Sequence, residues 1–247
     1  MFNPNYNSHY ISYANQTREW MPTDSNDLYI IHLREKYKLL EFNNWIDNPF
    51  TYKFNSHGFR CDEFTDNPTI MFLGCSNTFG IGLPIDCTWP DIVSNTLGMC
   101  YANLSVCGGS NDTAFRMCHG WIDKIKPDIV ILLEPPGIRF ELVNNLSTKL
   151  VSFAYPDTDN LNTFFMRKWG LDDNNTYFNA LKNHLAIKEM CHSRDIKFIM
   201  FDNTEFTRDH PKDDFARDLY HYGKKTNQQF AEYVLTHLDG AASRDRT

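Results

Sequence analysis

Thr69-Ile70-Met71-Phe72-Leu73-Gly74-Cys75-Ser76-Asn77-Thr78-Phe79-Gly80 is the stretch on which the fold turns. After Thr69 come four apolar residues without alternation, the pattern of a strand covered on both faces. Gly74 ends the run, and a serine follows two residues later, where a buried strand would hand over to a helix. Three related runs lie downstream. Tyr101 to Val106 ends at Gly108-Gly109, Asp128 to Leu133 at Pro135-Pro136-Gly137, and Ile196 to Phe201 at Asp202-Asn203. Helical stretches separate them: Trp89 to Leu97, Asp112 to Lys124 and Tyr177 to His192, with Thr226 to Leu238 as a closing helix. Buried strands alternating with helices predict an α/β fold, a parallel sheet with helices on both faces.

Outward from this core the organisation is simpler. Residues 1–66 form a lead-in of mixed aromatic and polar character. Within it Leu28 to Leu40 holds a helix or a strand pair, Thr51 to Phe54 is a short strand candidate, and Asn55 to Arg60 reads as a turn. The main domain spans 67–239. Residues 140–170 are polar, aromatic and rich in Asn; they break the alternation and are expected to be an insertion or lid beside the sheet's C-terminal edge. Residues 240–247 make a small polar tail.

Composition excludes several classes. The 247 residues include 42% hydrophobic and 22% charged side chains, enough for one large core. The net charge of −7, with no basic run longer than Lys224-Lys225, argues against a nucleic-acid partner. Seven scattered cysteines form no C-x-x-C pair. Cys118-His119 and Cys191-His192 lack zinc-site spacing, so reduced thiols, no metal and a cytoplasmic compartment are expected. Met1 to Tyr13 has neither a basic start nor an apolar stretch, so no signal peptide is expected there. Ile129 to Leu133, the most apolar run, is far too short to span a bilayer.

In a doubly wound sheet, chemistry gathers at the C-terminal ends of the strands. Ser76 sits at one such end and suits a nucleophile whose own N–H faces a developing oxyanion; a capping serine in a glycine-rich turn is the plain alternative. Asn103-Leu104-Ser105-Val106-Cys107-Gly108-Gly109-Ser110-Asn111-Asp112 offers glycines for close ligand approach, or a tight turn capped by Ser110 or Asp112. Asp218-Leu219-Tyr220-His221 spaces a carboxylate and an imidazole so that one can orient the other. Asp209-His210 competes for the role of base. His57 reads as a surface or packing residue, and Glu134 and Glu141 as solvated or ligand-loop residues.

Taken in order, these three segments resemble the SGNH hydrolases, also called GDSL esterases or lipases. Gly74 to Gly80 is similar to the block around the family's nucleophile, Asn103 to Ser110 to its second block, and Asp218 to His221 to its last; Asn55 to Arg60 resembles a lead-in found before such domains. The Gly-Cys-Ser-x-Thr-x-Gly version resembles a subgroup of bacterial and phage proteins. The resemblance implies a flavodoxin-like three-layer α/β/α sandwich, with Ser76 as nucleophile, His221 as base, Asp218 as its orienting partner, and an oxyanion N–H from Gly108. It implies no cofactor. Two departures stand out. Cys75 replaces the Asp of the signature, and Pro135-Pro136-Gly137-Ile138-Arg139 replaces a block whose Asn completes the oxyanion hole. Asn111 or Arg139 is the expected substitute, although Asn111 could instead cap the helix starting near Asp112. The expected substrate is a small-molecule or glycan ester, with an O-acetyl group on a carbohydrate as one case. Acyl transfer, or a non-catalytic ligand-binding module on the same fold, is the alternative.

Overall fold

The computed structural model describes residues 6–67, 69–143, 148–152, 172–208 and 214–242. The lead-in contributes β1 (Thr17–Arg18), α1 (Asn26–Glu35), α2 (Tyr37–Phe42) and β2 (Tyr52–Lys53), with β1 and β2 paired antiparallel. The segment around Leu28 to Leu40 is thus a helix pair. Ser25 caps α1 by accepting the Leu28 N–H at 3.2 Å.

The main body runs through β3 (Thr69–Leu73), α3 (Ser76–Phe79), α4 (Trp89–Leu97), β4 (Cys100–Asn103), α5 (Asn111–Ile125) and β5 (Ile129–Leu133). It continues with β6 (Arg139–Val143), β7 (Thr148–Ser152), α6 (Asp173–His192), β8 (Lys197–Phe201), α7 (Asn203–Thr207) and α8 (Lys224–Ala242). Four strands form one parallel sheet in the order β4-β3-β5-β8. This is the flavodoxin-like winding: the chain leaves β3 toward one edge and β5 toward the other, so a crevice opens between their C-terminal ends.

The unalternating strand sequences now have their reason. Ile70 and Phe72 of β3, with Ile131 and Leu133 of β5, point to one face, where Trp89 and Val93 of α4 and Phe230, Ala231 and Val234 of α8 cover them. Met71, Leu73, Val130 and Leu132 point to the other face, against Ala114, Met117, Cys118 and Ile122 of α5 and Ile187 and Cys191 of α6. All eight strand residues are fully buried. Each contributes roughly 1.5–3 kcal/mol of burial free energy, which is why neither face tolerates a polar residue. Among the described residues no helix is long and apolar enough to cross a membrane.

Strand β4 stops at Asn103, short of the expected Val106. Beyond it the backbone still bonds toward β3, with Leu104 N–H donating to Phe72 O at 3.0 Å and Val106 N–H to Gly74 O at 3.3 Å, while the Asn103 side chain accepts from the Ser105 N–H at 3.2 Å and from the Ser105 hydroxyl. The expected insertion at 140–170 contains part of an antiparallel hairpin, β6 with β7; residues 144–147 and 153–171 lie outside the described residues. Helix α8 continues beyond Leu238 to Ala242.

Candidate active site

Ser76 opens the short helix α3, directly beyond β3. The turn between them is tight. A Cβ on Gly74 would lie 2.2 Å from Thr78 Oγ1 and 3.0 Å from Leu133 O, so no other residue fits. Two long-range donors fix the helix. Asn103 Nδ2 donates to Thr78 O at 2.9 Å. The buried Arg60 guanidinium donates to the carbonyls of Phe79 (3.0 Å), Gly80 (2.6 Å) and Leu83 (2.6 Å), satisfying acceptors at the helix end. The Asn55–Arg60 turn therefore supports the serine turn from outside the sheet.

His221 Nε2 lies 2.9 Å from Ser76 Oγ, and His221 Nδ1 lies 2.6 Å from Asp218 Oδ2. The other carboxylate oxygen, Oδ1, accepts the backbone N–H groups of Tyr220 (3.1 Å) and His221 (3.0 Å). One side chain thus builds the loop with one oxygen and orients the ring with the other. Leu219, at φ +50°, carries the left-handed backbone that this arrangement needs. Because an ionised carboxylate only accepts, Nδ1 carries the proton and Nε2 is free to accept from the serine hydroxyl.

Gly108 has φ +75° and lies on the loop after β4, which Tyr10 anchors by accepting the Cys107 N–H at 3.0 Å. Among the described residues no acceptor takes the Ser76 or Gly108 N–H. The capping alternative for Asn111 is corrected here. Ser110 is the N-cap of α5, accepting the Thr113 N–H at 3.3 Å while Thr113 Oγ1 accepts the Ser110 N–H at 3.2 Å. Asn111 is the first helical residue. Its Nδ2 donates to Pro135 O at 3.4 Å, and its Oδ1 meets His184 Nε2 at 3.0 Å. The backbone N–H of Arg139 donates to Pro136 O at 3.2 Å, and its Nη1 is buried without a partner. Among the described residues neither Asn111 nor Arg139 is hydrogen-bonded to Ser76 or His221.

Glu134 and Glu141 differ sharply. Glu141 was expected to be solvated or on a ligand loop; its side chain is instead 1% exposed. It holds Arg116 through Nε (2.7 Å) and Nη2 (2.8 Å), and accepts from Thr113 Oγ1 at 3.2 Å. Glu134 is half-buried at the end of β5, 3.6 Å from His184. Burial, with Asp202 nearby, raises the Glu134 carboxyl above its ordinary range, while burial lowers His184. Both shifts favour neutral forms, so this contact is not a strong ion pair despite its distance. His9 and His32 are also held below the ordinary histidine value, chiefly by burial.

The sign of the resulting pH dependence follows. A histidine lowered on folding takes up its proton more readily when unfolded, so its contribution is whole above about pH 6.5 and is lost as pH falls through the lowered value. His184→Gln keeps a donor near Asn111 Oδ1 but does not titrate. We expect the fall in Tm between pH 7.5 and pH 5.5 to be smaller in this variant than in the unaltered protein. Equal falls in both would contradict the shift.

His57 packs in the aromatic cluster of Phe64 and Trp121, with centroids 5.4 and 5.1 Å away. Cys118 and Cys191 are buried in the core. Asp209 and His210 lie outside the described residues. His184 escaped notice in the sequence, although Asn179, Asn183 and His184 put three polar residues on a helix that packs on the core. That cluster was the available signal.

No family model matches the chain, and no curated protein matches it. Several solved structures are similar. They include an esterase, EstA, from Pseudoalteromonas sp. (12% identity over 71% of this chain and 98% of that one, TM-score 0.40). A second is the salicylyl-acyltransferase SsfX3 of a tetracycline biosynthetic pathway (15% identity, 79% and 59%, TM-score 0.41). A third is TesA (14% identity, 53% and 58%, TM-score 0.35). The chain spans less than two thirds of the length of SsfX3 and of TesA.

Proposed function

We propose that this chain is a serine hydrolase of the SGNH type that cleaves an ester of an alcohol, with small molecules or glycans as its substrates. The observation that supports the reading is the unbroken relay Ser76–His221–Asp218, with links of 2.9 and 2.6 Å, just beyond the C-terminal end of β3. In this reading Ser76 Oγ attacks the carbonyl carbon while His221 Nε2 takes the hydroxyl proton. The tetrahedral intermediate places its oxyanion against the N–H groups of Ser76 and Gly108, with Asn111 as the side-chain donor. The imidazolium, stabilised by Asp218, returns the proton to the departing alcohol. Water, activated by the same ring, then releases the acid. A second alcohol in place of water would make the reaction acyl transfer.

A fluorophosphonate reagent tests the nucleophile directly, since a serine paired with a base is far more reactive than a free hydroxyl. We expect a single adduct, mapped by mass spectrometry to the Ser76 peptide, and none in Ser76→Ala. Persistent labelling of the variant would assign the reactivity elsewhere; an unlabelled native chain would favour a binding module.

A further inference from the structure

Asp24 stands in the lead-in, before α1, yet it is 1% exposed and fully engaged. Its Oδ2 accepts the Tyr52 hydroxyl at 2.5 Å and Arg217 Nη2 at 2.7 Å; its Oδ1 accepts Arg217 Nε at 3.0 Å. Arg217 immediately precedes Asp218. Its guanidinium lies between the Trp20 and Phe50 rings, 4.0 and 3.9 Å from their centroids, and Nη2 also donates to Glu19 O at 2.8 Å. The two limbs of the site meet at Gly82. Its N–H donates to Tyr52 Oη at 2.7 Å, and its carbonyl accepts the Arg217 N–H at 2.9 Å. A Cβ on Gly82 would lie 2.7 Å from Ala216 Cβ and 3.2 Å from Arg217 N, so the loops are as close as backbones allow.

We propose that Asp24 is a positioning residue for the triad: with Tyr52 and Arg217 it locks the Ser76 turn to the Asp218–His221 loop and sets the distance between serine and imidazole. The inference rests on the hydrolase reading for its kinetic consequence only. The ion pair holds the base of the Asp218 loop, and the tyrosine carries that restraint across to the chain leaving α3. Each link is buried, so water cannot replace it without moving one loop. Displacements of about 1 Å in reacting groups cost roughly 10²-fold in rate.

The test uses the full chain and three readouts. They are kcat and KM with p-nitrophenyl acetate, the fluorophosphonate labelling rate of Ser76, and the downfield proton resonance of His221 Nδ1–H. Tyr52→Phe removes the link to Gly82 and leaves the ion pair; Asp24→Asn breaks the pair. We expect kcat and the labelling rate to fall about 10–100-fold in each, with KM within about threefold and the His221 resonance shifted or exchange-broadened. A purely structural role would lower Tm and leave kcat unchanged below the transition. If Asp24→Asn does not fold, Tyr52→Phe decides alone. Folded variants with kcat within twofold of the native chain overturn the proposal. If the native chain neither turns over nor labels, the hydrolase reading fails, and an unmoved His221 resonance in Tyr52→Phe then overturns the positioning role separately.

Discussion

Asp218→Asn is expected to lower kcat on p-nitrophenyl acetate by about 10⁴, with KM nearly unchanged. The size of the effect comes from which way the new amide must face. Asp218 Oδ1 accepts two backbone N–H groups, from Tyr220 and His221, and an amide NH₂ cannot take that place. The asparagine carbonyl therefore stays with the loop and the NH₂ turns to His221 Nδ1. To accept from it, the ring must shift its proton to Nε2, the atom that receives the Ser76 proton in the proposed mechanism. The loop keeps its hydrogen bonds, so Tm should change little while the base is disabled. Steady-state kinetics with thermal melts reads both. A loss smaller than tenfold in a folded variant would move the base away from His221, with Asp209-His210 as the next candidate to mutate.

Much of this geometry was legible in the sequence for a definite reason. Strands buried on both faces are made almost wholly of apolar residues, so Thr69–Leu73, polar only at its first position, and Ile129–Leu133 stand out from the polar chain around them. Trp89–Leu97 is bounded by its own signals, Pro90 in the first turn and Gly98 in the left-handed conformation at its end. Ser76, Asp218 and His221, which the structure brings into hydrogen-bond contact, stand out in the sequence because each lies in a short local pattern beside a strand end or a turn. What escaped depends on pairs distant in the chain. Arg116 with Glu141, Asp24 with Arg217, and Arg60 with the carbonyls after α3 are ordinary charged residues until folding brings them together. Helix α3 is only four residues long and is held by tertiary contacts rather than by propensity, so no periodicity announces it. In β6, the alternation of Phe140 and Leu142 with Arg139 and Glu141 was present, but it sits in an Asn-rich stretch that reads as loop.

Asn111→Ala is expected to lower kcat by about 10²–10³ and leave KM almost unchanged, the signature of a donor that acts on the transition state. Pro135-Pro136-Gly137-Ile138-Arg139, just beyond β5, stands where the family that the sequence resembles carries an asparagine, so in the hydrolase reading a side-chain donor comes from elsewhere. Asn111 is 1% exposed and begins α5, two residues after the Gly108-Gly109 turn. His184 fixes its orientation: with the proton on Nε2, the ring donates to Oδ1 at 3.0 Å and turns the NH₂ away. One of the two N–H groups reaches Pro135 O only at 3.4 Å, a weak contact, which leaves donor capacity for an oxyanion. Ser110→Ala is the matched control because Ser110, not Asn111, caps the helix. It should cost about 1 kcal/mol of stability and spare kcat. The two neighbours thus separate rate from stability, in opposite directions, within one turn of one helix. An Asn111→Ala variant that folds and turns over at the native rate would leave the Ser76 and Gly108 amides as the whole oxyanion site and retire Asn111 from it.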